Sequence, residues 1–349
     1  MAKAAIAGGA TPLRCNLPEE IVVWEILVRL PPKSLLRCRA VCRDWRRATS
    51  TRDFLLAHHA CQPNLPILYG YKNGGEGEGL SLCIIPFDHL SGLTAVDQLQ
   101  SIARLQLLQL LRSCDGLLLL YNHNRHYAIC NPATRQYAPL RQINDFTVLG
   151  MYPHRQTGEY RLLLYPDRLM DDELPAGIHH GCYVFTLGSS QSQQPRHIGW
   201  PESEELMFET SVLFRGSLHW YPIQPGSKRG MIMVFDTMAE SFRRMHAPDY
   251  GSEVWTFKCQ IKLQVEEIRA HFQKVDSNWD VLVTSSDDDV LVLVQSGQCL
   301  LQLDIDGKLV GTFHHKCLHS DILHLKQSLV LHAFFPALDG YVVNELPFL

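Results

Sequence analysis

The sequence predicts a multi-domain chain: a small all-α three-helix module followed by a larger all-β antiparallel, propeller-like domain. Three observations carry this reading. Residues 17–59 show helical periodicity interrupted by prolines. From Pro63 onward, short apolar runs alternate with turn residues, the texture of strands. Within that second part a strand, polar turn, strand unit recurs, in AICNPATRQYAPL, YVFTLGSSQSQQPRHI, MVFDTMAESFRRM and LQLDIDGKLVGTF. Charge divides the chain in the same way: the net is −4, yet residues 1–60 carry ten basic and five acidic side chains, +5 there against −9 beyond. The expected boundaries are a disordered tail over 1–14, the helical module over 15–61 and the β domain over 62–349.

Composition narrows the class. With 349 residues, 46% hydrophobic and 19% charged, the chain has enough apolar matter for a large core and is not a mainly disordered one. A small net negative charge speaks against nucleic acid as a partner. Eleven cysteines, an odd number without repeating spacing, and the lack of any Asn-x-Ser/Thr site point to reduced thiols in the cytoplasm and/or nucleus. The start, MAKAAIAGGATPLR, is too weakly apolar for a signal-peptide core, and no apolar run reaches the ~18 residues of a membrane span, so no membrane partner is expected.

The first helix is read in LPEEIVVWEILVRL, with Asn16 and Glu19 spaced as a capping pair and Pro31-Pro32 as the stop. Between Ile21 and Leu30 only Glu25 and Arg29 are polar, so the helix is apolar round most of its circumference. A module of ~40 residues cannot bury all of that surface by itself, and part of it must meet another body. PPKSLLRCRAVCRDWRRATS reads as one second helix, with Cys38, Val41, Cys42, Trp45 and Ala48 on a single stripe and Arg37, Arg39, Arg43, Arg46 and Arg47 on a solvated outer face. A third helix, RDFLLAHHA, follows, with Ser50 and Asp53 as its capping pair.

Leu17-Pro18, Ile26-Leu27, Leu30-Pro31, Leu35-Leu36-Arg37-Cys38, Val41-Cys42, Trp45 and Phe54 resemble, in order and spacing, the F-box. The resemblance implies a Skp-family adaptor as partner and, through it, a cullin and a ubiquitin-conjugating enzyme. It implies adaptor binding by Leu17, Pro18, Ile21, Ile26, Leu27, Leu30, Pro31, Leu35, Cys38, Val41, Cys42 and Trp45.

In the β domain, the repeated turns at Asn131, Gly188, Asp236 and Asp304 lie 57, 48 and 68 residues apart, near the ~50 of kelch-type blades, and Asp306-Gly307 reads as a two-residue hairpin. Three antiparallel strands per unit suggest blades, about six in the available length. Ser113-Cys114-Asp115-Gly116-Leu117, Asn131-Pro132-Ala133-Thr134, Gly216-Ser217-Leu218-His219-Trp220 and Phe235-Asp236 resemble the F-box-associated domain of plant F-box proteins, while 167–180 and 258–278 match nothing in it.

Several patterns invite chemistry and are better read otherwise. His314–His319 and His179–Cys182 offer imidazole and thiolate groups but lack zinc-site spacing. The Gly-rich YKNGGEGEGL lacks the Gly-Lys-Ser/Thr ending of a phosphate cradle. Cys114-Asp115-Gly116 is a turn before the strand LLLLY rather than a nucleophile, Asp287-Asp288-Asp289 a solvated turn, and Trp220 a packing residue beside Tyr221. No catalytic residue, cofactor or metal is expected. The function implied is that of a substrate receptor in a ubiquitin ligase, holding an unidentified target protein on the β domain. The alternative is a ligand-binding or hydrolytic propeller whose F-box governs its own turnover.

Overall fold

A computed structural model describes residues 17–71, 79–84, 100–106, 109–122, 126–167, 177–188, 194–199, 211–220, 231–246, 261–271, 280–286, 289–296, 299–314 and 323–344. The chain divides into two compact units, Met1–Gln62 and Pro63–Leu349.

In the first unit, α1 (Glu19–Ile21) runs on through a π turn, Val22–Ile26, into a 3-10 turn, Leu27–Arg29. Asn16 lies outside the described residues, and Pro18 rather than a side chain starts the helix, its carbonyl accepting from the Val22 N–H at 3.2 Å. Leu30 turns extended because a residue before proline is driven out of the helical region. α2 (Pro32–Cys38) carries proline at its first position, where no N–H is needed.

The second helix expected from the sequence is in fact two. α2 ends at Cys38, and α3 (Arg43–Ala48) starts afresh after Cys42, whose backbone is extended (φ −150°, ψ 163°) and whose Sγ accepts from the Trp45 N–H at 3.4 Å. The stripe from Cys38 to Ala48 is therefore broken. The reason lies in Arg39, which does not join a solvated face: its Nε donates to Thr49 Oγ1 at 3.1 Å and its guanidinium also reaches the Thr49 carbonyl. Tying the end of α2 to the end of α3 requires the chain to turn between them. α4 (Arg52–Cys61) is capped by Thr51, whose Oγ1 accepts from the Phe54 N–H, and not by Ser50, whose hydroxyl donates to the Arg46 carbonyl.

The second unit holds five antiparallel meanders among the described residues. The first is β1 (Asn64–Tyr71), β2 (Gly79–Ile84) and β3 (Gln100–Gln106). The next comprises β4 (Gln109–Cys114), β5 (Leu117–Tyr121), β6 (Tyr127–Asn131) and β7 (Gln136–Leu140). The third is β8 (Phe146–His154), β9 (Glu159–Pro166), β10 (Cys182–Thr186) and β11 (Arg196–Gly199). The fourth runs through β12 (Val212–Phe214), β13 (Ser217–Trp220), β14 (Met231–Asp236) and β15 (Ser241–His246). The last is β16 (Asp280–Ser286), β17 (Asp289–Ser296), β18 (Cys299–Leu303) and β19 (Leu309–His314). Then β20 (Leu323–Lys326) returns to pair with β1, joining the end of the array to its beginning, and β21 (Val342–Val343) adds a fifth strand beside β7.

Period-two alternation explains why strands of the third sheet read as unbroken apolar runs. Leu162 and Leu164 on β9, with Tyr183 and Phe185 on β10, pack toward the second sheet with Leu119, Ile129 and Ala138. Leu163, Cys182 and Val184, on the opposite face, pack toward Leu218, Trp220 and Phe235 of the fourth. A sheet covered on both faces has no solvent side to mark with polar residues. Where the sequence offered no family match, α5 (Val265–His271) sets Ile268 against Val292, Val294 and Leu301.

Candidate functional site

Within the first unit the apolar side chains sort into two sets. Val23, Leu27, Val28, Leu35, Phe54 and Leu55 form the core. Its polar seam is built around one carbonyl. Leu30 O, released where the first helix stops, accepts from His58 Nε2 at 2.8 Å and from Gln62 Nε2 at 3.1 Å, so the last turn of α4 satisfies an acceptor that the helix end leaves over. His58 is wholly buried and its pKa is lowered, first by loss of solvation and further by Arg39, with the Leu30 bond opposing.

The other set faces outward: Leu17 (57% exposed), Ile21, Trp24 (45%), Ile26, Leu36, Val41 (67%) and Leu56. Seven of the seventeen exposed large hydrophobics among the described residues thus fall within residues 17–62. Leu17, just before the helix, Ile21 and Trp24 recur at i, i+4 and i+7, and exposed Trp24 stands next to buried Val23 within the π turn. An apolar surface of this kind is a place for another macromolecule to dock.

Of the residues expected to meet an adaptor, Leu17, Pro18, Ile21, Ile26, Pro31, Val41 and Cys42 are exposed, while Leu30, Cys38 and Trp45 are part-buried. Leu27 and Leu35 are different: at 2% and 0% exposure they sit in the module's own core. Trp24, Leu36 and Leu56 were missing from the expected set. The spacing of Trp24 from Leu17 and Ile21 is the signal that could have found it.

In the second unit the sequence fragments singled out above are equivalent positions. Asp115-Gly116 (φ 48° and 84°) and Arg215-Gly216 (φ 48° and 76°) are two-residue turns between the first two strands of their sheets, both central residues left-handed as such turns require. Asn131 and Asp236 each open the turn between the last two strands, and each Oδ1 accepts backbone N–H groups two and three residues on. Asp304 opens the corresponding turn of the fifth sheet, its Oδ1 accepting from the Asp306 and Lys308 N–H groups two and four residues on. There the loop is three residues, Ile305–Gly307, closed by the Asp304 N–H on the Lys308 carbonyl, rather than the two-residue hairpin expected of Asp306-Gly307.

The groups that might have carried chemistry are placed as follows. Burial, then the charge of Asp115, raises the Cys114 thiol well above its ordinary value, which withholds the thiolate a nucleophile needs. Cys182 lies in β10 with its thiol pushed up to about 12 by burial. Trp220 is core, 6.4 Å from the Phe242 ring. Among the described residues no three His, Cys, Asp or Glu side chains gather as a metal site would need. Residues 315–319, Asp287, Asp288 and Tyr221 lie outside the described set. A cavity of about 310 Å³ opens among Asn122, His126, Tyr127, Tyr137, Pro139, Arg141 and Asn144. No helix among the described residues is long and apolar enough to cross a membrane.

A helical module presenting apolar side chains, followed by propeller-like sheets, defines a chain of two differently built parts. Comparison with known families agrees: the F-box-like family matches residues 15–62 and the F-box associated beta propeller domain matches 90–289, more than half of the chain. The chain belongs to the F-box proteins that carry an F-box associated beta propeller domain. Its relatives include F-box protein At3g22700 of Arabidopsis thaliana, 31% identical over 72% of this chain and 76% of that one. F-box protein At5g49610 of the same plant is 26% identical over 66% of this chain and 64% of its own length, and F-box protein At3g07870 is 25% identical over 68% and 61%. The chain therefore spans a little under two thirds of those last two relatives. Among solved structures, apo AztD from Citrobacter koseri overlays on 76% of this chain and 98% of its own at 10% identity and a TM-score of 0.34, too loose a likeness to bear on function.

Proposed function

We propose that this chain is the substrate-receptor subunit of a Skp-cullin-F-box ubiquitin ligase, working in the cytoplasm or nucleus. The helical unit docks on a Skp-family adaptor through Leu17, Pro18, Ile21, Ile26, Leu30, Pro31, Cys38, Val41, Cys42 and Trp45, with Trp24 added and with Leu27 and Leu35 supporting the surface from within. The sheets hold a target protein. The observation that carries this reading is the exposed apolar set on a module whose sequence matches the F-box. Its contribution to ubiquitin transfer is positional: docking raises the effective concentration of target lysines near a charged enzyme carried elsewhere in the assembly.

The test is capture of a purified plant Skp-family adaptor by the full-length chain. Wild type is expected to hold it, and Val41→Asp with Leu17→Asp to release it while circular dichroism stays unchanged. Equal capture by both proteins would overturn the docking assignment.

A further inference from the structure

The cavity of about 310 Å³ lies at the end of the second sheet where β5 gives way to β6. Asn122 and His126 stand at the base of the loop between those strands, and two hydrogen bonds hold them to each other. The Asn122 N–H donates to the His126 carbonyl at 3.1 Å, and the His126 N–H donates to Asn122 Oδ1 at 2.9 Å. Tyr127, on β6, is fixed by its hydroxyl, which donates to the Phe146 carbonyl at 2.8 Å. Tyr137 and Pro139 stand two apart on β7, so they share one face of that strand and add two flat rings to the lining. Walls tied down in this way make a preformed site rather than one assembled on binding.

The 3-10 turn that follows β7, Arg141–Ile143, brings in the last two lining residues, Arg141 and Asn144. Arg141 is exposed and already paired with Asp339 at 3.6 Å, so a ligand need bring no charge to answer it. Asn144 is in the opposite condition. Its Oδ1 is buried and accepts no hydrogen bond among the described residues. Folded chains supply a donor to nearly every buried carbonyl oxygen, and one left over on the wall of a cavity calls for a donor from the cavity's occupant.

We propose that this cavity binds a small, neutral, planar heteroaromatic molecule of one or two rings, whose ring N–H donates to Asn144 Oδ1. Size sets the first limit, since about 310 Å³ is at the lower end of the roughly 300–1,000 Å³ of small-molecule pockets. The rings of Tyr127 and Tyr137 favour a flat aromatic partner, which meets them in offset or edge-on contact. The unmet oxygen sets the chemistry, because an otherwise equal molecule without the donor would leave it stranded. The assignment concerns the second unit alone and stands whether or not the first unit docks on an adaptor.

The test uses the full-length chain at neutral pH with benzimidazole and indazole as probes, each beside its N-methyl derivative, read by saturation-transfer NMR and titration calorimetry. Each parent should bind at one saturable site, at least about fivefold tighter than its methyl derivative. Asn144→Leu and Asn144→Ala should each bring parent and derivative level without lowering thermal stability, since the oxygen removed has no bond to lose. Tyr137→Ala should weaken parent and derivative by similar factors. Absence of saturable binding to wild type, equal binding of parent and derivative, a preference that survives both exchanges at Asn144, or binding untouched by Tyr137→Ala would each overturn the proposal.

Discussion

The indole of Trp24 lies 5.6 Å, centroid to centroid, from the phenyl ring of Phe54, and the two rings belong to different surfaces: Trp24 is half exposed, Phe54 wholly buried. One packed ring thus anchors the other while leaving its outer face exposed. Trp24→Ala should cost about 2 kcal/mol or more of adaptor binding, as aromatic anchors at interface centres do, with little loss of fold. Phe54→Ala should instead cost ~3–5 kcal/mol of stability. Calorimetric titration against the adaptor, with thermal unfolding of each variant, separates the two effects.

His58 makes the first unit sensitive to acid. Its folded pKa is lowered, so the folded state resists the proton that the unfolded chain takes up near ~6.5. Its contribution is complete above that value and is lost as pH falls through the lowered folded pKa. Hydrogen exchange of the α4 amides should accelerate from pH 7 toward pH 5 after correction for intrinsic rates, and His58→Gln, which keeps a donor for Leu30 O, should flatten the trend.

Glu240 joins the third and fourth sheets. Its carboxylate accepts from Arg161 at 2.6 Å, from Arg196 and from the Tyr152 hydroxyl at 3.2 Å. Desolvation pushes its pKa up, and the hydrogen bonds and charges of Arg161 and Arg196 outweigh it and hold the pKa low. Glu240→Gln would leave the largely buried Arg161 short of a counter-charge, at a cost of ~2–3 kcal/mol. Thermal unfolding measures this, and 1 M salt should not abolish the difference, since a shielded pair is poorly screened.

Gly116 is pressed against the chain that follows β20. A Cβ there would lie 2.5 Å from Ser328 Cβ and 2.8 Å from the Lys326 carbonyl, at a φ of +84°. Gly116→Ala should therefore destabilise by ~2 kcal/mol or more and expose residues 327–344 to proteolysis. Gly158, with φ +70° and open space around it, should tolerate alanine at ~1 kcal/mol, the conformational cost alone.

What could be read from the sequence depended on how local its cause was. The helical module, the strand texture and the Asx turns at Asn131, Asp236 and Asp304 follow from periodicity and short-range hydrogen bonding. The break at Arg39–Cys42 did not show, since helix propensity runs through it and the deciding partner, Thr49, is a tertiary one. Trp24 could be placed outside by its spacing from Leu17 and Ile21, but the inward set Val23, Leu27 and Val28 could not be told from Ile26, because the helix is apolar round most of its circumference and a π turn shifts the period. Arg155 lies against the Arg215-Gly216 turn some 60 residues further along the chain, an approach of two sheets that no local pattern announces.

The return of β20 to β1 also sets a timetable. Leu65 and Leu325 face each other across that pairing, about 260 residues apart along the chain. At ~5–20 residues per second, a ribosome needs ~13–50 s to deliver the second after the first. For that interval β1 has emerged with one margin unmatched, open to any extended segment that meets it. Contacts of such separation form slowly even in the finished chain. The cell's demand for chaperones should therefore fall on the earliest sheet rather than the latest, and the first meander is the part of the nascent protein most in need of an escort.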